Sequence, residues 1–302
     1  MVGFCEIFSM ITPRFIFPIA LSLAWAPFAD AMIASVNGEA THNTTATDYV
    51  SEIWNRTVRL NAGTGTYLGQ SADGTHWVMT AAHVTVGTGT IVTSTSETIT
   101  LTAKAGQEVF FYNADGTKAD LQLFAVSAAN AEAESYLNAL GNIEIYTGDL
   151  YTNTPLYCVG TGRKLEMGKS TNAVSLRVKQ WGEFYAEGYV TDGSNLYVKE
   201  VFSNRQDSLQ CGLQDSGSGV FVDTGDLWEL RAIAVSIGPN DTALSDPIGY
   251  ASAQDSSLCC ETYFLDLSAY ASQIYAVIPE PSLFGLMAGV FALGLAGVRR
   301  RR

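Results

Sequence analysis

Positive charge is scarce in this sequence: 17 Lys and Arg stand against 30 Asp and Glu, which gives a formal net charge of −13 at pH 7. An acidic surface repels the phosphate backbone of DNA and RNA. We therefore predict no nucleic-acid partner for this protein. The same excess of one charge favours solubility.

Histidine and cysteine are also few, with 3 and 5 residues. No Cys-x-x-Cys motif or close pair of histidines indicates a metal site, so we predict neither a metal nor another cofactor. Cys5 falls in an N-terminal apolar segment, which leaves Cys158, Cys211, Cys259 and Cys260 with three pairings open. Because the adjacent Cys259 and Cys260 would bridge each other only with strain, we expect one of them to reach Cys211 or Cys158.

Long hydrophobic runs occur only at the two ends. At the N-terminus, Arg14 precedes an apolar run over residues 15–25 and a small-x-small site, Ala29-Asp30-Ala31. This order is typical of a signal peptide cut by signal peptidase, so we predict removal of residues 1–31 and export of the remainder.

The C-terminal end combines Pro279-Glu280-Pro281, an uncharged apolar stretch over residues 283–298 and four arginines at 299–302. As a helix the stretch would be about 24 Å long, slightly short of a bilayer core of about 30 Å. The arrangement resembles the PEP-CTERM sorting signal of Gram-negative bacteria. The resemblance implies transient membrane association through residues 283–298, removal by an exosortase, and delivery to the outer surface or extracellular matrix; a plain C-terminal anchor is the alternative.

Between the ends, short Thr- and Val-rich runs are separated by Gly, Asn and Asp, as at residues 90–93, 97–102 and 108–112. This pattern predicts an antiparallel, all-β fold of sandwich or barrel type. Two stretches are interpreted as helices, residues 127–140 and residues 267–277. The first helix would connect two β-rich halves.

Two short motifs carry the chemistry. The sequence W-V-M-T-A-A-H over residues 77–83 ends an apolar strand at His83, and Q-D-S-G-S-G over residues 214–219 holds Ser216 in a Gly-rich turn. A serine hydroxyl needs a neighbouring base to become a nucleophile, and a tight turn leaves backbone N–H groups able to bind an anion. Together the motifs favour acyl transfer.

The T-A-A-H and D-S-G-S boxes resemble those of trypsin-like serine proteases, and the resemblance extends over most of residues 36–277. It implies two antiparallel six-stranded β-barrels and a closing C-terminal helix. The first barrel and the connection would occupy residues 32–150, the second barrel and the helix residues 151–278, and the sorting segment residues 279–302. It also implies a monomer that acts on a polypeptide substrate.

The resemblance assigns the role of nucleophile to Ser216 and the role of base to His83. Ser218 is an alternative nucleophile that breaks the Asp-Ser-Gly register. The family's carboxylate opens an apolar strand after the histidine, and D-L-Q-L-F at residues 120–124 has that form, so Asp120 is the predicted third member. The other acidic candidates are Asp115 in an Asp-Gly turn, Glu144 and Asp149.

The resemblance assigns the oxyanion hole to the backbone N–H groups of Gln214 and Ser216. Gln214 stands where the family has glycine, and glutamine resists backbone angles that glycine accepts, so we expect a misaimed donor. Asp215 would bind a freed N-terminal amine, because V-N-G-E-A at residues 36–40 is similar to the family's mature start. Cleavage after Ala31 or Ala34, however, would not generate the family's Ile-Val terminus.

The A-V-S-I-G segment at residues 234–238 resembles the family strand that pairs with an extended substrate. The floor of the side-chain pocket would fall near Leu209 or Gln210. Neither is acidic, which argues against a strict preference for Lys or Arg, although Asp207 keeps that question open. The predicted substrate-binding residues are Leu209, Gln210, Ser236, Ile237 and Gly238.

The sequence thus predicts an exported serine endopeptidase that works through a Ser-His-Asp triad and an acyl-enzyme. The first alternative is a catalytically weak or inactive binding or adhesion module on the same fold at the cell envelope. The second is a β-rich surface protein in which the two boxes coincide by chance.

Overall fold

The computed structural model describes residues 33–36, 39–41, 43–151, 153–162, 177–186, 188–201, 208–237 and 261–278. The predicted signal peptide, the sorting segment, Asp207, Gly238 and the pair Cys259 and Cys260 lie outside these residues. No helix in the described ranges is both long and apolar enough to cross a bilayer.

The described chain is mostly β, as expected. In chain order, the elements are β1 (Ile33–Val36), β2 (Glu39–Thr41), α1 (Ser51–Arg56), β3 (Thr57–Arg59), β4 (Thr64–Gln70), β5 (His76–Thr80), β6 (Thr88–Val92), β7 (Thr98–Tyr112), β8 (Lys118–Ala128), α2 (Ala131–Leu140), β9 (Glu144–Ile145), β10 (Pro155–Gly160), β11 (Gln180–Tyr185), β12 (Gly188–Asp192), β13 (Asn195–Val201), β14 (Ser208–Gln210), β15 (Gly219–Asp223), β16 (Trp228–Ile237), β17 (Glu261–Asp266), a 3-10 turn (Ser268–Tyr270) and α3 (Ala271–Tyr275).

The first half forms a closed antiparallel barrel in the order β3-β4-β5-β8-β7-β6, so the first predicted barrel is confirmed. Alternate residues of its strands point inward, as at Ile91 on β6, Ile99 and Leu101 on β7 and Leu121 on β8. Closure satisfies every strand edge of this sheet.

The second half is an eight-stranded sheet with the path β11-β10-β15-β16-β17-β13-β12, and β9 pairs with β16 in parallel. This sheet does not close within the described residues, so the structure shows one barrel and one open sheet. A separate three-stranded sheet has the order β14-β1-β2.

Both predicted helices are shorter than expected. Strand β8 continues to Ala128, and α2 begins only after Asn130, whose side chain accepts a 2.8 Å hydrogen bond from Ala133 N and caps the helix. The α2 C-terminus is held by Arg56, which donates to Leu140 O at 2.5 Å and Gly141 O at 3.0 Å. The closing helix is a 3-10 turn followed by α3.

Strand β10 contributes side chains to two hydrophobic clusters. Leu156 and Cys158 pack in an apolar cluster within the second sheet, whereas Tyr157 and Val159 join the large cluster that fills the barrel. Alternation along one strand thus serves two cores. The barrel cluster also contains residues of β15, β16 and β17, which attaches the sheet to the barrel.

A buried cation joins the halves at a second point. Lys179 precedes β11, and its Nζ donates to Thr57 O at 3.1 Å, to Val92 O at 2.9 Å and to Trp54 O. Burial lowers the pKa of Lys179 well below its usual value. Because these three carbonyls belong to the barrel half, Lys179 supplies donors across the junction.

Candidate active site

His83 sits in a turn that follows β5. Val84 N donates to Ala81 O at 3.0 Å, which closes the turn. The buried side chain of Gln122 on β8 donates from Nε2 to Ala81 O at 3.1 Å and to Val84 O at 2.8 Å. Because Gln122 holds the carbonyls of Ala81 and Val84, the backbone around His83 has little conformational freedom.

Asp120 holds His83 at two points. Its Oδ2 lies 2.7 Å from His83 Nδ1, and its Oδ1 accepts a 3.0 Å hydrogen bond from His83 N. This carboxylate raises the pKa of His83, and partial burial opposes the rise. Because Nδ1 is engaged by the carboxylate, Nε2 is the nitrogen that can accept a proton.

The serine turn packs against the barrel. Gly217 N donates to Ala234 O at 2.7 Å, and Thr64 N donates to Ser216 O at 2.9 Å. A Cβ on Gly217 would lie 2.0 Å from Thr64 O and 2.2 Å from Thr80 Oγ1, and Gly217 has a φ of 89°. Both the space and the backbone angle require glycine at this position.

Ser216 and His83 approach the same junction between the barrel and the second sheet. A Cβ on Gly63 would lie 2.8 Å from the side chain of Val84, the residue after His83, and 2.9 Å from Ser216 O. Gly63 is therefore close to both the residue that follows His83 and the serine turn. Within the described residues, no hydrogen bond joins the Ser216 hydroxyl to the His83 imidazole.

The serine turn contains one backbone N–H group that is not used in a backbone hydrogen bond within the described residues. Asp215 N donates to Gly212 O at 3.1 Å, and Gly217 N to Ala234 O. Ser216 N lies between them and makes no backbone hydrogen bond within the described ranges. Gln214 has a φ of 71°, in the left-handed region, which costs a non-glycine residue about 1 to 2 kcal/mol.

Asp215 is fully buried beneath the turn. Its Oδ1 accepts a 2.7 Å hydrogen bond from Gly162 N, and its Oδ2 accepts a 2.8 Å bond from Gly212 N. Burial raises the pKa of Asp215 to about 6, while these two N–H groups and the positive charge of Arg177 oppose the rise. Val36, in the segment similar to a mature protease start, pairs instead with Glu39 in the hairpin of β1 and β2.

A cavity of about 190 Å³ opens beside Ser216. It is lined by residues 211–214 and 234–237, which include the predicted residues Ser236 and Ile237. Leu209 and Gln210 are buried on β14 and do not line it. The sequence therefore missed residues 211–213, which follow that strand as a loop and precede Gln214, the residue predicted for the oxyanion hole. None of the lining residues carries a charged side chain.

The alternative acids have other partners. Asp115 is exposed in its turn, and hydrogen bonds from Ser194 and Thr117 lower its pKa to about 2. Glu144 lies on β9 opposite Glu229. The backbone carbonyl of Asp149 accepts a bond from Tyr146. The alternative nucleophile, Ser218, is fully buried, and its hydroxyl has no partner within the described residues.

The two described cysteines, Cys158 and Cys211, are buried free thiols. Burial raises the pKa of Cys211 well above its usual value, and the Cys158 side chain contributes in the same direction. The described residues contain no group of three or more His, Cys, Asp or Glu arranged to hold a metal ion. Neither a family model nor a curated protein matches this chain.

Proposed function

We propose that the chain is an exported serine endopeptidase of the trypsin-like kind. The supporting observation is the two-point hydrogen bonding of Asp120 to His83, next to a glycine-bounded turn that presents Ser216. A carboxylate that orients an imidazole, whose second nitrogen stays available beside a serine, is the arrangement that activates a hydroxyl.

In the proposed reaction, Ser216 Oγ attacks the carbonyl carbon of the peptide bond while His83 Nε2 takes the hydroxyl proton. Asp120 stabilises the imidazolium that forms. His83 then gives this proton to the amine leaving group, and a water molecule releases the acyl group from Ser216 by the same steps in reverse. Catalytic hydrogen bonds tighten when substrate binds, which would join Ser216 to His83.

The N–H groups of Ser216 and Gln214 would stabilise the oxyanion. Removal of one such donor typically lowers kcat by about 10² to 10³. Beyond Ala234, the edge of β16 that faces the serine turn pairs with no described strand, so an extended substrate can add there by backbone hydrogen bonds. The uncharged cavity beside Ser216 would receive an apolar side chain of the substrate.

The remainder of the proposal rests on the sequence. The second sheet would be the family's second barrel, the protein would act as a monomer, and signal peptidase and an exosortase would process its ends. Its destination would be the outer surface or the extracellular matrix of a Gram-negative bacterium.

The direct test is covalent labelling with a fluorophosphonate, together with peptide cleavage, for the wild type and for Ser216→Ala. We expect the wild type to react and the variant to lose both activities while it retains its melting temperature. Labelling that persists in Ser216→Ala would overturn the assignment of the nucleophile. Ser94→Ala, on an exposed barrel turn, is the matched control.

A second candidate function is a non-catalytic binding module on the same fold. Two observations favour it: the left-handed Gln214 at an oxyanion position, and the lack of a described hydrogen bond between Ser216 and His83. The labelling experiment separates the candidates, because a folded wild type that never reacts with the probe would support the binding module.

A further inference from the structure

Arg177 lies just before β11, and its guanidinium joins two loops of the site. Nε donates to Thr161 O at 2.8 Å, and Nη2 donates to Thr161 Oγ1 at 3.0 Å. Nη2 also donates to Gly63 O at 2.5 Å, while Nη1 donates to Asn61 O at 3.2 Å and to Leu60 O. A planar guanidinium with five N–H donors can gather several carbonyl oxygens at one point.

Both of these loops lead to the serine turn. Residues 60–63 precede Thr64, whose N–H donates to Ser216 O at 2.9 Å. Thr161 N donates a 3.1 Å hydrogen bond to Thr64 Oγ1. The Thr64 hydroxyl in turn donates a 3.1 Å hydrogen bond to Gln214 O. Two residues therefore connect Arg177 to each backbone carbonyl: Thr161 and Thr64 lead to Gln214, and Gly63 and Thr64 lead to Ser216.

Arg177 also supplies positive charge near a buried carboxylate. Asp215 has no exposed surface, and its described hydrogen-bond donors are the neutral N–H groups of Gly162 and Gly212. Gly162 follows Thr161, the residue that Arg177 holds. The charge of Arg177 lowers the pKa of Asp215 against the effect of burial.

We propose that Arg177 is a positioning residue that holds the serine turn in its catalytic shape, so that activity does not require a freed N-terminal amine. The inference rests on the proposed function. In its support, residues 33–36, near the start of the predicted exported chain, are held as β1 by pairing with both β2 and β14. In this arrangement the positive charge that influences Asp215 comes from Arg177, and the hydrogen bonds to Asp215 come from backbone N–H groups.

The first test compares the exported wild type with Arg177→Ala and Arg177→Lys. Because Arg177 does not line the cavity, we expect Arg177→Ala to lower kcat by about 10²-fold, the typical effect of small misplacement in a site, with KM changed less than about threefold. Arg177→Lys keeps the charge and should retain an intermediate kcat. Added guanidinium at millimolar concentration should restore part of the activity of Arg177→Ala only.

Lys104→Ala is the matched control for the loss of one positive charge, since Lys104 lies on β7 outside the site. Circular dichroism and melting temperature establish that each variant is folded. If Arg177→Ala does not fold, Arg177→Lys still tests the inference. A kcat of Arg177→Lys equal to that of the wild type would contradict the need for the forked guanidinium.

The second test needs no substitution. Selective acetylation of the α-amine of the exported protein should leave kcat unchanged, whereas loss of activity would show that an N-terminal ammonium supports the turn and would overturn the inference. If the wild type and Arg177→Ala react with a fluorophosphonate at the same rate, the role of Arg177 is overturned but the proposed function is not. Wild type that never reacts would overturn the proposed function, and with it this inference.

Discussion

Thr64 N donates to Ser216 O across 2.9 Å, so a strand of the closed barrel carries part of the serine turn. The contact is close because Gly217 has no side chain: a Cβ there would lie 2.0 Å from Thr64 O. The barrel therefore contributes both His83 and a support for the proposed nucleophile, and the candidate site depends on the fit between the two halves.

Gly217→Ala should damage both stability and activity. The new methyl group must displace the Thr64 carbonyl and the Thr80 hydroxyl, and alanine must also adopt a φ of 89°. We expect the melting temperature to fall and kcat to drop by at least about 10²-fold. Gly116→Ala is the matched control, because Gly116 has a φ of 82° and no atoms within 4 Å of its added Cβ. Equal losses of stability in both variants would contradict the steric argument.

Gln214→Gly should be tolerated or beneficial. Glycine removes a left-handed strain of about 1 to 2 kcal/mol and loses part of this gain to the greater entropy of the unfolded chain. We expect unchanged or slightly higher stability in urea unfolding, and a kcat at least equal to that of the wild type. If kcat falls instead, the glutamine side chain contributes to the reaction.

The activity should follow the titration of His83. The hydrogen bond that His83 donates to Asp120 raises the pKa of His83, so kcat/KM should increase with pH and reach half its maximum above the usual imidazole pKa of about 6.5. The same raised pKa stabilises the fold below the unfolded-state value, and this contribution is lost as pH rises through the folded-state value.

Asp120→Asn should shift that midpoint to lower pH and lower kcat by about 10⁴-fold, the magnitude typical for a triad carboxylate. A pH–rate profile of each protein measures both effects. Asp115→Asn is the control, because Asp115 is engaged by Ser194 and Thr117 in an exposed turn. An unchanged midpoint in Asp120→Asn would exclude this carboxylate as the partner of the catalytic imidazole.

The cavity beside Ser216 predicts the substrate preference. Its lining over residues 211–214 and 234–237 carries no charge, so peptides with Leu, Met or Phe before the cleaved bond should have a higher kcat/KM than peptides with Lys. Differences of about 10- to 200-fold are typical for apolar pockets. A series of chromogenic peptides that differ in this one residue provides the measurement. Preference for Lys would point to an acidic residue outside the described lining.

The sequence predicted those parts of the site that short local patterns specify. His83 follows an apolar strand and two alanines, and Ser216 lies in a glycine-rich turn; both features are visible within seven or eight neighbouring residues. Asp120 is predicted because the D-L-Q-L-F segment resembles the family's carboxylate strand, and the structure places β8 beside β5. The first barrel followed from the same alternation of side chains.

Other parts of the site had no local signal. Arg177 bonds to Gly63, which is 114 residues earlier, and a lone arginine does not indicate which carbonyls it will meet. Leu209 and Gln210 were predicted at the cavity, but pairing of β14 with β1 draws them into the interior, and the following loop forms the wall. Helix α2 begins late because pairing with β7 extends β8 through residues with good helical propensity.

Lys179 couples the unfolding of the two halves. Its amine is buried among the carbonyls of Trp54, Thr57 and Val92, so separation of the halves would break all of these hydrogen bonds at once. Calorimetry should accordingly record a single heat-absorption peak, with neither the barrel nor the sheet persisting as an independent cooperative unit.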